Sequence, residues 1–192
     1  MGRYRQGHDK PKLLYFVSED WYFCSHRAPH AGAARDAGYE VVVVCRENTH
    51  GAQIRNEGFR LIPLNLKRRS RNPLRELATL FSLIRIYARE KPDIAQHVAI
   101  KPTLYGSFAA WITGVPQVVN SVAGMGYIFI SNDIAARLLR PLIRLGFRWL
   151  LNRGDNHVIL QNPDDLEMLT KAYVLDPDRA TIMPGSGVDI EA

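Results

Sequence analysis

Leu13-Leu14-Tyr15-Phe16-Val17 and Val41-Val42-Val43-Val44-Cys45 decide the fold, together with the alanine-rich stretch between them that closes at Gly38. A continuous apolar run without polar alternation suits a strand covered on both faces, as in parallel sheets whose crossovers lay helices on either side. Glycine takes the left-handed conformation that ends a helix, so a glycine followed within a few residues by such a run marks a helix-to-strand joint. The mark recurs at Gly58 before Phe59-Arg60-Leu61-Ile62, at Gly114 before Val115-Pro116-Gln117-Val118-Val119, and at Gly154 before His157-Val158-Ile159-Leu160. Joints of one kind, repeated, specify βα units and an α/β fold: a Rossmann-like, doubly wound parallel sheet.

Two longer helices fit between the strands. Asn72 to Glu90 places Leu74, Leu77, Phe81 and Ile84 on one side, and Pro92 ends it before the strand-like Ile94 to Val98. Asp133 to Leu151 spaces Arg137, Arg140, Arg144 and Arg148 along one face and Ile134, Leu138, Leu142, Leu145 and Trp149 along another, with Pro141 expected to kink or split it. The whole divides into a flexible basic tail at 1–11, one sheet domain at 12–183, and the start of a linker at 184–192, where Pro184-Gly185-Ser186-Gly187 reads as a hinge toward a further domain.

Composition narrows the class. The 192 residues are 46% hydrophobic and 23% charged, ordinary for a folded core. Two cysteines, Cys24 and Cys45, make no disulfide framework, and no apolar signal core follows Met1, so the expected location is cytoplasmic. The net charge of +6 is concentrated at Lys67, Arg68, Arg69, Arg71 and Arg75 and along 137–153. That pattern favours anionic partners such as lipid head groups or phosphorylated intermediates over nucleic acid, for which no recognition signature accompanies the charge. Pro102 to Asn132 lacks charge, but Gly114-Val115-Pro116 and the polar Gln117, Asn120 and Ser121 interrupt it, so it reads as buried helix, strand and glycine loop rather than a membrane span.

Ligands in open α/β sheets bind at the carboxyl ends of the strands, which singles out three loops. Ser18 to Arg27 packs Glu19, Asp20, His26 and Arg27 with aromatics after the first strand; the same residues also suit a helix start with acids near its dipole. Cys24, His26 and His30 do not make a metal site, since Pro29 intervenes and a fourth ligand is missing. Gln96-His97-Val98-Ala99-Ile100-Lys101 offers a histidine as general base and a lysine for phosphate, or a backbone-satisfied His beside a solvated Lys. Ser121 to Tyr127 contains Gly124 and Gly126, which would let a ligand approach backbone N–H groups. Dinucleotide and P-loop fingerprints are missing, and Glu19 and Asp20 put negative charge where a phosphate loop would lie.

The strand order, Leu104-Tyr105-Gly106-Ser107 through Gly114-Val115-Pro116, the glycine loop at 124–126, Gln161-Asn162-Pro163-Asp164-Asp165 and Pro184-Gly185-Ser186-Gly187-Val188-Asp189 together resemble the N-terminal domain of family 4 retaining glycosyltransferases of the GT-B fold. The resemblance implies an acceptor-binding lobe facing a cleft, with the nucleotide-sugar donor held mainly by a C-terminal lobe outside these residues. It also implies no metal or organic cofactor, the nucleotide sugar being a co-substrate, and a saccharide or lipid-linked acceptor at the inner face of the cell membrane during bacterial surface-polysaccharide synthesis. On that basis His97 is expected to be catalytic, and Glu19, Asp20, His26, Arg27, Lys101, Gly124 and Gly126 to bind substrate. Two departures stand out: Ser18-Glu19-Asp20-Trp21 replaces the usual glycine-rich first loop, and Ala123 stands where relatives place a histidine. The alternative expectation is a non-catalytic binding or membrane-interaction module that works with a separately encoded partner chain.

Overall fold

The computed structural model describes residues 10–66, 72–122 and 134–184, with the backbone alone for 134–139. The greater part of the expected tail, the basic group at 67–71, the glycines at 124 and 126 and the Gly/Ser turn after Pro184 therefore lie outside the described residues.

The strands are β1 (Lys12–Glu19), β2 (Glu40–Arg46), β3 (Arg60–Pro63), β4 (Ile94–Val98), β5 (Gln117–Val122), β6 (Asn156–Leu160) and β7 (Ala180–Ile182). They form one sheet in the order β3-β2-β1-β4-β5-β6-β7, every pair parallel. The helices are α1 (Asp20–His26), α2 (Ala28–Asp36), α3 (Gly51–Asn56), α4 (Pro73–Glu90), α5 (Ile100–Thr113), α6 (Ile134–Leu151) and α7 (Pro163–Lys171). The glycine joints behave as expected, with φ between 55° at Gly154 and 95° at Gly38.

Alternation along β1 divides the core. Leu13, Tyr15 and Val17 face α1–α3 with Val41, Val43, Phe23, Ile54 and Phe59. Leu14 and Phe16 face the other side with Val42, Val44, Leu83, Tyr87 and Ala109. On that second side α5 packs between α4 and α6. Phe147 and Leu151 of α6 close on Val122, Val158 and Leu160.

Two helix readings change. A periodic apolar stripe usually marks the buried face, yet Leu74, Leu77 and Phe81 point to solvent, and Thr79, Leu83, Tyr87 and Glu90 are the buried residues of α4. In α6 the stripe behaves the same way, with Leu142 and Leu145 66% and 65% exposed. Pro141 does not split that helix, which runs through it as one element. Among the described residues no helix is long and apolar enough to cross a membrane.

The amino edge of the sheet is closed by charge pairing. Glu90 takes Lys12 Nζ at 3.3 Å and Arg60 Nη1 at 3.1 Å, and Asp93 accepts the Lys12 backbone N–H at 2.8 Å. Buried charges need such partners. The carboxyl edge carries the loops of interest.

Candidate functional site

Asp20 opens α1 at the rim beside β1 and is fully buried. Its Oδ2 accepts the backbone N–H of Asn48 at 2.6 Å and of His50 at 2.9 Å, and its Oδ1 accepts that of Trp21 at 2.8 Å. Burial alone would raise its pKa, but the N–H groups of Asn48 and His50 outweigh burial and hold the carboxyl below its usual range. Asp20 thus ties the β1 loop to the β2 loop, and its oxygens are already engaged. Glu19 beside it is less enclosed: Asn48 Nδ2 donates to it at 2.9 Å and Arg46 lies at 3.9 Å.

His26 and Arg27 are not rim residues of the same loop. Residues 20–26 are helical, which at the ordinary rise puts His26 about 10 Å along α1 from its start. There the imidazole stacks on Tyr22 with centroids 4.4 Å apart and planes 10° from parallel. Arg27 Nε is buried without a hydrogen-bond partner in the structure. Trp21, one residue past Asp20, is 43% exposed at the rim.

His97 lies deeper than the other expected site residues. A general base must reach the proton it removes, but this side chain is 0% exposed, enclosed between the sheet and two helices. It lies opposite Asn120 in the β4–β5 register, with Nδ1 2.7 Å from Asn120 Oδ1 and Nε2 2.9 Å from the Tyr87 hydroxyl. An amide oxygen only accepts, so Nδ1 carries the proton and Nε2 accepts from Tyr87. The Ser107 hydroxyl donates to the same Asn120 oxygen at 3.0 Å. Burial drives the imidazole pKa down to about 4 and the Asn120 bond opposes it only in part. Gly106 makes room for the ring: a Cβ there would lie 2.4 Å from His97 Cδ2. His97 therefore locks β4, β5, α4 and α5 together as a neutral group.

Beyond that lock the chain turns into α5 through Ala99, whose φ of 81° and ψ of 166° are unusual for a residue with a Cβ. Its N–H donates to Ser121 O at 3.1 Å and its carbonyl accepts from Thr103 N at 2.9 Å, so both loop ends pin it. Thr103 Oγ1 is buried without a partner in the structure. Lys101, in the first turn of α5, pairs with Glu76 at 2.7 Å and lies 5.6 Å from the Tyr105 ring centroid. The Tyr105 hydroxyl donates to the same Glu76 oxygen at 2.5 Å. Burial and that carboxylate both push the phenol upward.

The rim thus brings together Glu19, Asp20 and Trp21 from β1–α1, Asn48 and His50 from β2–α3, and Ala99, Lys101, Glu76 and Tyr105 from β4–α5 and α4. Asn48, His50 and Glu76 were missed by sequence reasoning, and Ala99 and Tyr105 were named only as members of their stretches; Glu76 had a signal, following Asn72-Pro73, whose Asn72 caps α4. A pocket of about 290 Å³ lies elsewhere, where β5 and β6 begin, lined by Trp111, Val115, Pro116, Arg153, Asp155 and Asn156 among others. The carboxyl rim is where the N-termini of the helices and the ends of the strands converge, the edge at which open α/β sheets ordinarily bind ligands.

Residues 12–162 match the family described as glycosyl transferase 4-like. The chain is 25% identical over 156 residues to an Escherichia coli UDP-Gal:α-D-GlcNAc-diphosphoundecaprenol α-1,3-galactosyltransferase, covering 80% of this chain and 38% of the relative. It is 28% identical over 127 residues to the N,N'-diacetylbacillosaminyl-diphospho-undecaprenol α-1,3-N-acetylgalactosaminyltransferase of Campylobacter jejuni, covering 64% of this chain and 34% of that one. Among solved structures, Anabaena Alr3699/HepE in complex with UDP and glucose superposes with a TM-score of 0.65 at 12% identity, over 94% of this chain and 46% of that one. The chain thus spans about a third of the length of these curated relatives, and under half of the solved chain, as one lobe of a larger fold would.

Proposed function

This chain belongs to the glycosyl transferase 4-like family, and from that membership we propose that it forms the acceptor-binding lobe of a glycosyltransferase that moves a sugar from a nucleotide-sugar donor onto a saccharide joined to a lipid diphosphate. The observation that carries this reading is the pairing of an open carboxyl rim with two relatives whose acceptors are both saccharides on diphosphoundecaprenol. The donor would be held mainly by a further lobe, no metal would be needed, and the work would be done at the inner face of the cell membrane.

The residues support distinct roles. The α5 N-terminus and Lys101 suit the diphosphate, since unsatisfied N–H groups and an ammonium both favour phosphate oxygens. Glu76 and Tyr105 hold Lys101 until a stronger anion arrives. Trp21 offers an exposed ring for a sugar face, and Glu19 a carboxylate for hydroxyls. Gly124 and Gly126 would add close backbone contact. Asp20 and His97 serve by position, fixing the two loops rather than touching substrate, while His26 and Arg27 flank the acceptor only if it extends along α1.

The test is a calorimetric titration of the 192-residue chain with a short-chain lipid diphospho-N-acetylglucosamine, and separately with UDP-galactose. The acceptor should bind, and Lys101→Gln should weaken it about tenfold, the scale of one charge-assisted contact. Sugar transfer by this chain alone, or donor binding without acceptor binding, overturns the assignment.

A further inference from the structure

We propose that the pocket at the amino edge of the sheet is a second binding site, for a free amino acid with an apolar side chain. It lies where β5 and β6 begin and where α5 and α6 end, so the full height of the sheet separates it from the carboxyl rim. It opens because the α5 residues that line it, Ser107, Ala110 and Gly114, are small and share one helical face. Its volume of about 290 Å³ is at the small end for ligand sites.

Floor and mouth differ in chemistry. Ala110, Val118 and Leu150 are buried, and with Val115 they make an apolar floor. Ser107, also buried, donates its hydroxyl proton to Asn120 Oδ1 at 3.0 Å, so the floor presents no charge. An aliphatic or aromatic side chain suits it. The mouth carries Arg153 and Asp155, both exposed, on either side of Gly154. Among the described residues neither side chain has an ion-pair partner, and the two do not pair with each other.

Arg153 is held in place without being neutralised. Its guanidinium carbon lies 4.5 Å from the Trp149 ring centroid and 5.3 Å from that of Trp111, and the two rings meet edge to face at 4.7 Å. Ring contact uses the flat faces of a guanidinium and leaves its in-plane N–H donors for a carboxylate, which accepts two of them in parallel. Asp155 lines the mouth with Gly114 and Leu150, at the C-terminal ends of α5 and α6, where the helix dipoles add partial negative charge. That half of the mouth favours a cation. A carboxylate and an ammonium side by side, with an apolar group below them, are the three substituents of one amino-acid α-carbon. A peptide keeps its two termini apart, and a simple carboxylic acid leaves Asp155 unanswered. The site does not depend on the function proposed above.

The chain has three tryptophans, and Trp21→Phe leaves only Trp111 and Trp149, so the remaining fluorescence reports on the pocket. Titrated with L-phenylalanine, this variant should give a saturable change. 3-Phenylpropionate, without the ammonium, and phenethylamine, without the carboxylate, should each bind about fivefold more weakly, the scale of one charge pair at an exposed mouth. Arg153→Gln should weaken phenylalanine about fivefold and leave phenethylamine unchanged, whereas Asp155→Asn should weaken phenylalanine about as much and leave 3-phenylpropionate unchanged. Both positions are exposed, where substitutions seldom disturb folding. No saturable response to phenylalanine, equal affinities for the three compounds, or phenylalanine binding that survives both substitutions would each overturn the proposal. Acceptor titration of the unmodified chain without amino acid is independent of all these outcomes.

Discussion

The two faces of the sheet are built in opposite ways. On the α1–α3 face the interior is a continuous apolar cluster from Leu13 to Phe59 and the helices expose no large apolar side chain besides Trp21. On the α4–α6 face the interior contains a hydrogen-bonded knot of His97, Tyr87, Asn120 and Ser107, and the outside carries Leu, Phe and Trp. The first arrangement follows from the hydrophobic effect alone. The second opposes it twice, with polar groups inside and apolar groups in water, so it marks the face where something besides stability is served. Inside, the knot fixes the β4–α5 joint at which Lys101 is presented; outside, the apolar side chains stand in solvent.

The most severe way to break this contrast is to crowd the knot. Gly106→Ala would place a methyl group 2.4 Å from the His97 ring, and the ring cannot move without losing Tyr87 or Asn120. Overpacking together with a lost buried hydrogen bond should cost about 4 kcal/mol, read as a shift in the urea midpoint. An unchanged midpoint would mean that the ring is not wedged there.

Acid probes the same knot without mutation. The His97 pKa is depressed from 6.5 to about 4, so the unfolded chain binds the extra proton between those values while the folded chain does not. The neutral-imidazole stability is complete above pH 6.5 and is lost as pH falls toward 4, by on the order of 3 kcal/mol. His97→Gln should flatten that part of the pH–stability curve whatever its overall cost. A profile with the same slope in both proteins would place the titration elsewhere.

On the opposite face the polar contribution is confined to the rim, at Asp20. Asp20→Ala strands the N–H groups of Asn48 and His50 and should cost about 2 kcal/mol, with amide exchange accelerating at 48–50 and not around Tyr87. Loss of protection around Tyr87 as well would show that the two faces are one cooperative unit, and the contrast would weaken.

Legibility in the sequence follows the same division. Strands were readable because burial on both sides leaves an uninterrupted apolar run, as Val41 to Cys45 shows, and the glycine joints because φ there excludes most residues. Helical periodicity in α4 and α6 gave the amphipathic stripe but not its direction: 3.6-residue spacing is the same whether Leu74 and Leu142 meet a core or solvent. The burial of His97 was not legible because a lone histidine carries no record of Asn120 and Gly106, which approach it only in the folded register. Residues 18–27 admitted both a loop and a helix start, and the structure takes the second from Asp20 to His26.

Ala99 left no sequence trace at all, and it supports the smallest prediction. A Cβ at φ 81° and ψ 166° clashes with its own backbone, and conformations of this kind cost on the order of 1 kcal/mol or more. Glycine would relieve that strain but gain entropy in the unfolded chain, so Ala99→Gly should stabilise by no more than about 1 kcal/mol. Strain that merely survives from packing could be removed without consequence. Strain that aims α5 at its ligand could not: the glycine would loosen the joint between the His97 knot and Lys101, and acceptor affinity should fall while the urea midpoint rises. A variant that gains stability and keeps its affinity would show that the knot, and not the residue after it, sets the direction of α5.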